Sequence, residues 1–230
     1  MTVRWTEVAP GVLARRHERL DQTLGLVVGQ ESCLVVDTGT DEVHGAEWAA
    51  AVRAVTPLPW TVVITHAHFD HFCGTAAFTP CPVWAHSGCR PAMLDPDHRH
   101  DWVTRYEREG EAELARRLAA ARVVLPTEVF ADRATLDLGG RVVELIHPGR
   151  AHTDHDVLVH VPDAAVAFAG DLVEQGAPPS VGPDADPGQW PAALDVLLAL
   201  SPEVVVPGHG DPVDAEFVRA QRAELARASG

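Results

Sequence analysis

The sequence predicts an α/β fold in which two β-sheets pack face to face and helices cover their outer surfaces. Two observations predict this arrangement. Short apolar runs rich in β-branched residues recur along the 230 residues, and each ends at glycine, proline or a polar loop, as strands do. The two halves of the chain repeat this pattern with helical segments between the strands, which favours two sheets with helices outside. No linker or low-complexity stretch divides the chain, so we expect a single domain over residues 1–230.

Strands dominate the first half. In order, we predict edge strands over 3–16 broken at Pro10-Gly11, a hairpin of 24–28 and 33–36, a helix ending near Val55, a strand over 60–64, a short helix over 70–78 and a strand over 83–86. Asp41 can cap the first helix, because a side-chain oxygen at this position accepts from the free N–H groups of the first turn. Pro57 stops the same helix, since the residue before a proline avoids the α conformation.

A helical insert separates the two halves, at about 91–121. Residues 99–121 are charged and alanine-rich, and Trp102, Tyr106, Leu114 and Leu118 recur at spacings near four. This spacing favours a packing face; the alternative is that the insert covers the mouth of a site.

The second half repeats the pattern of the first, with short strands that end in polar loops and helices between them. We predict a hairpin of 134–138 and 141–146, strands over 157–161 and 165–169, a long Pro/Gly loop over 174–188, a helix over 189–200, a strand over 203–206 and a terminal helix to about Ala228.

Composition excludes several classes of function. The formal net charge of −15 argues against nucleic acid and anionic membranes as partners. No apolar run is long enough to cross a bilayer, and the N-terminal residues contain no apolar signal region. Four cysteines without C-x-x-C spacing indicate reduced thiols; of these, Cys73 is interpreted as a small buried side chain rather than a site residue. We therefore expect a cytoplasmic protein that acts on a small molecule, with its oligomeric state open.

Histidine and aspartate cluster directly after the strand over 60–64. Four such side chains fall within six residues: His66, His68, Asp70 and His71. His66 and His68 are two residues apart, so in extended backbone both rings point to the same side. Three further segments place His152, Asp171 and His209 in loops or at strand ends beside glycine, which lets backbone approach closely. This donor set suits a divalent metal, with zinc favoured and iron or manganese as alternatives.

Taken together, these motifs resemble the metallo-β-lactamase superfamily of metallohydrolases. The family motif H-x-H-x-D-H stands at 66–71, G-x-x-H-T at 149–153, the G-D pair at 170–171 and P-G-H-G at 207–210, all in family order. The resemblance implies an αββα four-layer sandwich of two mixed β-sheets flanked by helices. It is specific for fold and metal site, and much less so for substrate.

The resemblance also implies a role for each ligand. His66, His68 and His152 would hold one metal, Asp70, His71 and His209 the second, and Asp171 would bridge both, with a bridging hydroxide as nucleophile. Asp70 is the predicted catalytic residue, because it would also orient the hydroxide and accept a proton. Asp37 either accepts from a ligand imidazole or is a simple turn residue, and the two interpretations are equally favoured.

The reaction is less constrained. The seven-ligand set resembles glyoxalase II and the lactonases of this family, whereas the absence of lysine and asparagine and an aspartate at position 171 depart from β-lactamases with a cysteine ligand there. The stretch after His209 is too short for the helical C-terminal domain of glyoxalase II. Leu172-Val173-Glu174 follows Asp171, where lactonases of this family use a tyrosine. We expect a dinuclear zinc hydrolase of a small ester, thioester or lactone.

Two alternatives stay open. One is a mononuclear iron oxygenase of the same fold that acts on persulfides, and the other is a non-catalytic metal-binding protein. The substrate pocket is expected between the 91–121 insert and the loop over 178–187, with Trp102, Tyr106 and Trp190 as wall residues.

Overall fold

In a computed structural model, which describes residues 4–228, two β-sheets are enclosed by helices. The first sheet contains, in spatial order, β1 (Arg4–Ala9), β2 (Val12–Arg16), β3 (Thr23–Val28), β4 (Cys33–Val36), β5 (Trp60–Val63), β6 (Val83–His86) and β7 (Glu128–Phe130). The second contains β12 (Val204–His209), β11 (Val166–Glu174), β10 (Leu158–Val161), β9 (Val142–Ile146) and β8 (Arg133–Asp137).

Both sheets are mixed. In the first, β1 to β4 are antiparallel and β4 to β7 are parallel. In the second, β8 to β11 are antiparallel, and β11 pairs with β12 in parallel.

The α-helices of the described residues are α1 (Glu42–Val55), α2 (Phe69–Phe72), α3 (Cys89–Leu94), α4 (Pro96–Arg108), α5 (Ala112–Ala120), α6 (Trp190–Ala199) and α7 (Ala215–Ala228). Asp41 caps α1 as predicted, and its side chain accepts from Val43 N and His44 N. None of the helices within residues 4–228 has the length and apolar character that crossing a bilayer requires.

Three apolar layers hold the sandwich together. Strand β5 shows how one strand serves two of them, because successive side chains point to opposite faces. Val62 and Ile64 pack in the layer beneath α1 and the insert, whereas Val63 packs in the layer between the sheets. A third layer joins the second sheet to α6 and α7. The order of layers is therefore helix, sheet, sheet, helix, which confirms the predicted αββα sandwich.

The structure corrects several element boundaries. The helix predicted over 99–121 is two helices, because Gly110 adopts φ +83° between α4 and α5. Helical structure in this part of the chain begins at Cys89, with α3, before the predicted start of the insert at about residue 91. Strand β7 was not predicted, since it is three residues long and two of them are exposed. Strand β11 continues to Glu174, well beyond its predicted end. Val3, the first residue of the predicted edge strands, lies outside the described residues.

Candidate metal centre

The seven predicted ligands meet at one edge of the sandwich. Four of them follow β5, where the chain turns directly into the four-residue helix α2. His152 lies in the loop between β9 and β10, and Asp171 and His209 lie on β11 and β12. Because β11 and β12 are parallel, their carboxyl ends reach the same edge. The edge therefore collects donors that are far apart in sequence.

The ligands fall into two groups of donor atoms. His66, His68, His152 and Asp171 form one group, and Asp70, His71 and His209 form the other. Within each group the donor atoms lie within 4.8 Å of one another.

Asp171 reaches both groups. Its Oδ2 lies 3.5 Å from His152 Nε2 and 3.3 Å from His209 Nε2, and its Oδ1 lies 3.2 Å from His71 Nε2. This carboxylate therefore stands between the two candidate metal positions.

Protein acceptors fix the imidazoles of the second group. Asp37 Oδ2 accepts from His71 Nδ1 at 2.7 Å, and the same carboxylate accepts from Thr65 N and Thr65 Oγ1. The backbone carbonyl of Leu20 accepts from His209 Nδ1 at 2.7 Å. Both rings therefore donate at Nδ1 and turn Nε2 toward the centre, which leaves Nε2 as the nitrogen that can bind a metal. Of the two interpretations of Asp37 from sequence, the structure shows the first, in which this residue accepts from the imidazole of a candidate ligand.

The first group is oriented in the same way. Thr65 Oγ1 lies 3.1 Å from His66 Nδ1, Ser180 O accepts from His152 Nδ1 at 3.1 Å, and Asp184 Oδ2 accepts from His68 Nε2 at 3.0 Å. His68 thus presents Nδ1 to the centre, where it lies 3.0 Å from His152 Nε2. Since both of these inward nitrogens are acceptors, a cation between them satisfies both.

The orphaned atoms of the site fit metal ions. Among the described residues, His66 Nε2, His71 Nε2 and Asp171 Oδ1 are buried without a hydrogen-bond partner. Buried polar atoms are rarely left unpaired, and these three all point at the centre. Imidazole nitrogens and carboxylate oxygens in this number match the donor sets of zinc and related divalent ions.

Electrostatics favour positive charge at the same place. Burial alone lowers the pKa of His209, but Asp171 and Asp70 outweigh burial and raise that pKa to about 12. Burial and the neighbouring His68 lower the pKa of His152 to about 4. Burial alone would raise the pKa of Asp171, yet the surrounding imidazoles hold it well below its usual range. The carboxylates therefore remain ionised and attract cations, and bound metals would displace the protons held there.

A cleft of about 650 Å³ opens onto the donors, a volume typical of small-molecule sites. It lies between α4 and the loop over 175–189, and Trp102 and Tyr106 line it. Trp190 does not line the cleft. It is fully buried beneath His152, and its Nε1 donates to Leu172 O, so the structure corrects its expected place in the wall. A second cavity, of about 680 Å³, lies on the other side of α4, but none of the seven donors lines it.

Comparison with known proteins decides the family. The profile described as "Metallo-beta-lactamase superfamily" matches residues 18–209. The chain belongs to this superfamily.

The structural comparison agrees. A metallo-β-lactamase from Pontibacter korlensis superposes with a TM-score of 0.76 at 22% identity, covering 97% of this chain and 99% of that chain. At this identity the likeness shows the fold alone.

Two curated relatives of the superfamily carry different activities in their names. A metallo-β-lactamase type 2 of Bacteroides fragilis is 32% identical over 98 residues, which is 41% of this chain and 39% of that protein. An acyl-coenzyme A thioesterase MBLAC2 of Gallus gallus is 28% identical over 209 residues, which is 83% of this chain and 73% of that protein. The match to the Bacteroides enzyme thus spans about two fifths of that protein's length.

Three residues that support the superfamily motifs were not predicted from sequence. Asp184 holds His68, as described above. Burial alone would raise its pKa, but the hydrogen bond from His68 outweighs burial and lowers it to about 2. His155 Nε2 accepts from Ala67 N at 3.0 Å, inside the H-x-H-x-D-H motif. The fully buried Gln22 donates its side-chain amide to Asp70 O.

The other predicted residues lie as follows. Asp70 Oδ2 is 3.6 Å from His71 Nε2 and 3.4 Å from His209 Nε2, at the second group. Cys73 is buried in the layer beneath the insert, and burial raises the pKa of its thiol to about 12. The cysteine therefore packs as a small apolar side chain, as predicted.

Proposed function

We propose that this chain is a metal-dependent hydrolase that holds two zinc ions and cleaves a small ester, thioester or lactone. The observation that carries the proposal is the division of seven donors into two groups, with Asp171 in reach of both. Two cations held there would supply an activated water at neutral pH and polarise the scissile carbonyl.

Asp70 is the proposed catalytic residue of this site. Its Oδ2 faces His71 and His209, and the residue lines the cleft. A carboxylate at this place can hold a water by hydrogen bond and take its proton during attack. The side-chain amide of Gln22 donates to the backbone carbonyl of Asp70 and so holds the backbone from which this carboxylate projects.

Aromatic residues of α4 form the proposed substrate wall. The Trp102 ring lies 6.2 Å from the ring of His68 and 5.4 Å from that of Phe69. Tyr106 lies one turn further along α4 and packs edge-on against Phe69. We infer that the apolar part of the substrate lies against this wall while its carbonyl lies over the donors.

Thioesters are among the candidate substrates. The thioesterase of Gallus gallus is 28% identical over 83% of this chain. The aromatic wall and the cleft volume also suit an acyl group of modest size.

The first experiment is elemental mass spectrometry on protein purified without added metal. We expect about two zinc ions per chain, followed by turnover on a panel of thioesters, esters and lactones. About one iron per chain would overturn the proposal and favour sulfur oxygenation. Two zinc ions without turnover on any member of the panel would favour a non-catalytic metal-binding protein.

The role of Asp70 has its own test. We expect Asp70→Asn protein, reloaded with zinc to the wild-type content, to lose most of its turnover. Full turnover with full metal would remove Asp70 from the catalytic role.

A further inference from the structure

The loop over 175–189 is attached to the metal centre rather than to the sheets alone. Among the described residues, three hydrogen bonds join its middle part, 176–184, to the rest of the protein. Two of them come from candidate ligands, because His152 donates to Ser180 O and His68 donates to Asp184 Oδ2. The third is donated by Ser180 N to Glu174 Oε1 at 2.8 Å.

The two groups of donors therefore differ in how they are supported. The imidazoles of His71 and His209 are held by Asp37, at the end of β4, and by the backbone of Leu20. Both acceptors belong to the part of the chain that forms the first sheet and its turns. Two of the three imidazoles of the other group are instead held by this one irregular loop.

Fixing the tautomer of His68 is the specific contribution of Asp184. With the proton held on Nε2 by the carboxylate, Nδ1 is left as the nitrogen that can bind a metal. Without that acceptor, the ring can place its proton on either nitrogen and can rotate. The side chain of Asp184 is only partly exposed, at 23%, which limits competition from water for the same hydrogen bond.

We propose that Asp184 is a positioning residue for the metal held by His66, His68 and His152, and that filling this position orders the loop over 175–189. The coupling is reciprocal, since a contact that raises metal affinity through the loop must also stabilise the loop when metal binds. Because the loop contributes Ser180, Gly182 and Pro183 to the cleft, the metal would also complete the wall of the cleft opposite α4. The proposal rests on metal binding and does not depend on which bond the enzyme cleaves.

Two variants and a matched control test the affinity. Asp184→Ala removes the acceptor, and Asp184→Asn keeps an acceptor oxygen without the charge. Asp186→Asn makes the same change two residues away on the same loop, where the side chain contacts Gln189 and lies near Arg150 rather than a ligand. We expect zinc titration against a competing chelator to resolve two affinities. In Asp184→Ala one of them should weaken about 10–100-fold while the other stays constant.

The same samples give two readouts that do not depend on activity. In wild-type protein we expect amide hydrogen exchange in 175–189 to slow when the first-group position is filled, and in Asp184→Ala to remain fast. Cobalt titration should give an altered visible spectrum for that position in Asp184→Ala and an unaltered one in Asp186→Asn. Asp184→Asn should lie between wild type and Asp184→Ala in affinity.

Three results would overturn the proposal. One is an Asp184→Ala protein that binds both metals as tightly as wild type. Another is equal weakening of both positions, which would indicate a general loss of structure, and circular dichroism would reveal that directly. The last is loop exchange in wild-type protein that is the same with and without metal.

Discussion

Replacing Asp37 with asparagine should weaken metal binding without disturbing the fold around it. Asp37 has φ +60°, a conformation that asparagine tolerates better than most residues. Its two carboxylate oxygens accept from three donors, Thr65 N, Thr65 Oγ1 and His71 Nδ1, each at 2.7 Å. An asparagine at this position offers one acceptor oxygen and an NH₂ group in place of the other.

The amide can face this set of donors in two ways, and both are unfavourable. If the NH₂ group takes the place of Oδ1, it meets the N–H of Thr65. If it takes the place of Oδ2, His71 must accept at Nδ1 and move its proton to Nε2, the nitrogen that faces the centre. Loss of a contact of this kind costs about 10–100-fold in metal affinity, which equals about 1.4–2.8 kcal/mol.

Chelator competition with zinc measures this affinity, and Asp41→Asn is the control. Asp41 is as buried as Asp37, but its side chain caps α1 instead of holding a ligand. We expect Asp41→Asn to keep both zinc affinities at the wild-type value. Asp37→Asn protein that binds zinc as tightly as wild type would refute the argument that Asp37 sets the tautomer of His71.

Three further outcomes are expected from single substitutions. Gly208→Ala should lose at least one metal per chain by elemental analysis, because a Cβ there would overlap Asp171 Oδ1, whereas Gly188→Ala makes only ordinary contacts and should keep both. Trp102→Ala should raise KM by up to about 10-fold at constant metal content, because this fold-change corresponds to the free energy of one aromatic contact. Unchanged kinetics would show that α4 does not form the substrate wall. Burial lowers the pKa of His17 to about 3, so the unfolded chain takes up that proton first and stability falls as pH drops from about 6.5 toward 3. Between pH 7 and pH 5, the free energy of unfolding of His17→Phe, measured by urea unfolding at equal metal content, should therefore fall by about 2 kcal/mol less than that of wild type. An equal fall in both proteins would contradict this.

The parts of the site that the sequence predicts are those set by strand periodicity. His66 and His68 follow a short β-branched strand, and their spacing of two already places both rings on one side. Asp171 lies on a buried strand and His209 ends another, each beside glycine. These are local patterns, so seven candidate ligands can be named before any tertiary contact is known.

The parts that the sequence does not predict are contacts chosen by the tertiary structure. Asp184 stands in a Pro/Gly loop with no periodicity, and only the folded chain shows that it meets His68, 116 positions away. Trp190, in contrast, was predicted as a residue of the cleft wall, but it lies in the core. An aromatic residue at a helix start near the expected cleft looks like a wall residue, but α6 turns that ring into the layer beneath the second sheet.

In the proposed hydrolase, metal binding and substrate choice depend on different parts of this chain. The ligands lie on, or directly after, strands whose neighbours and register are set by buried apolar side chains, except His152, which lies in the loop between β9 and β10. The walls of the cleft come from α4 and from the loop over 175–189, which are held by fewer constraints and can change without altering a strand. A variant that alters substrate preference while keeping both metals should therefore map to α4 or to this loop, with Asp184 as the exception that links the two parts.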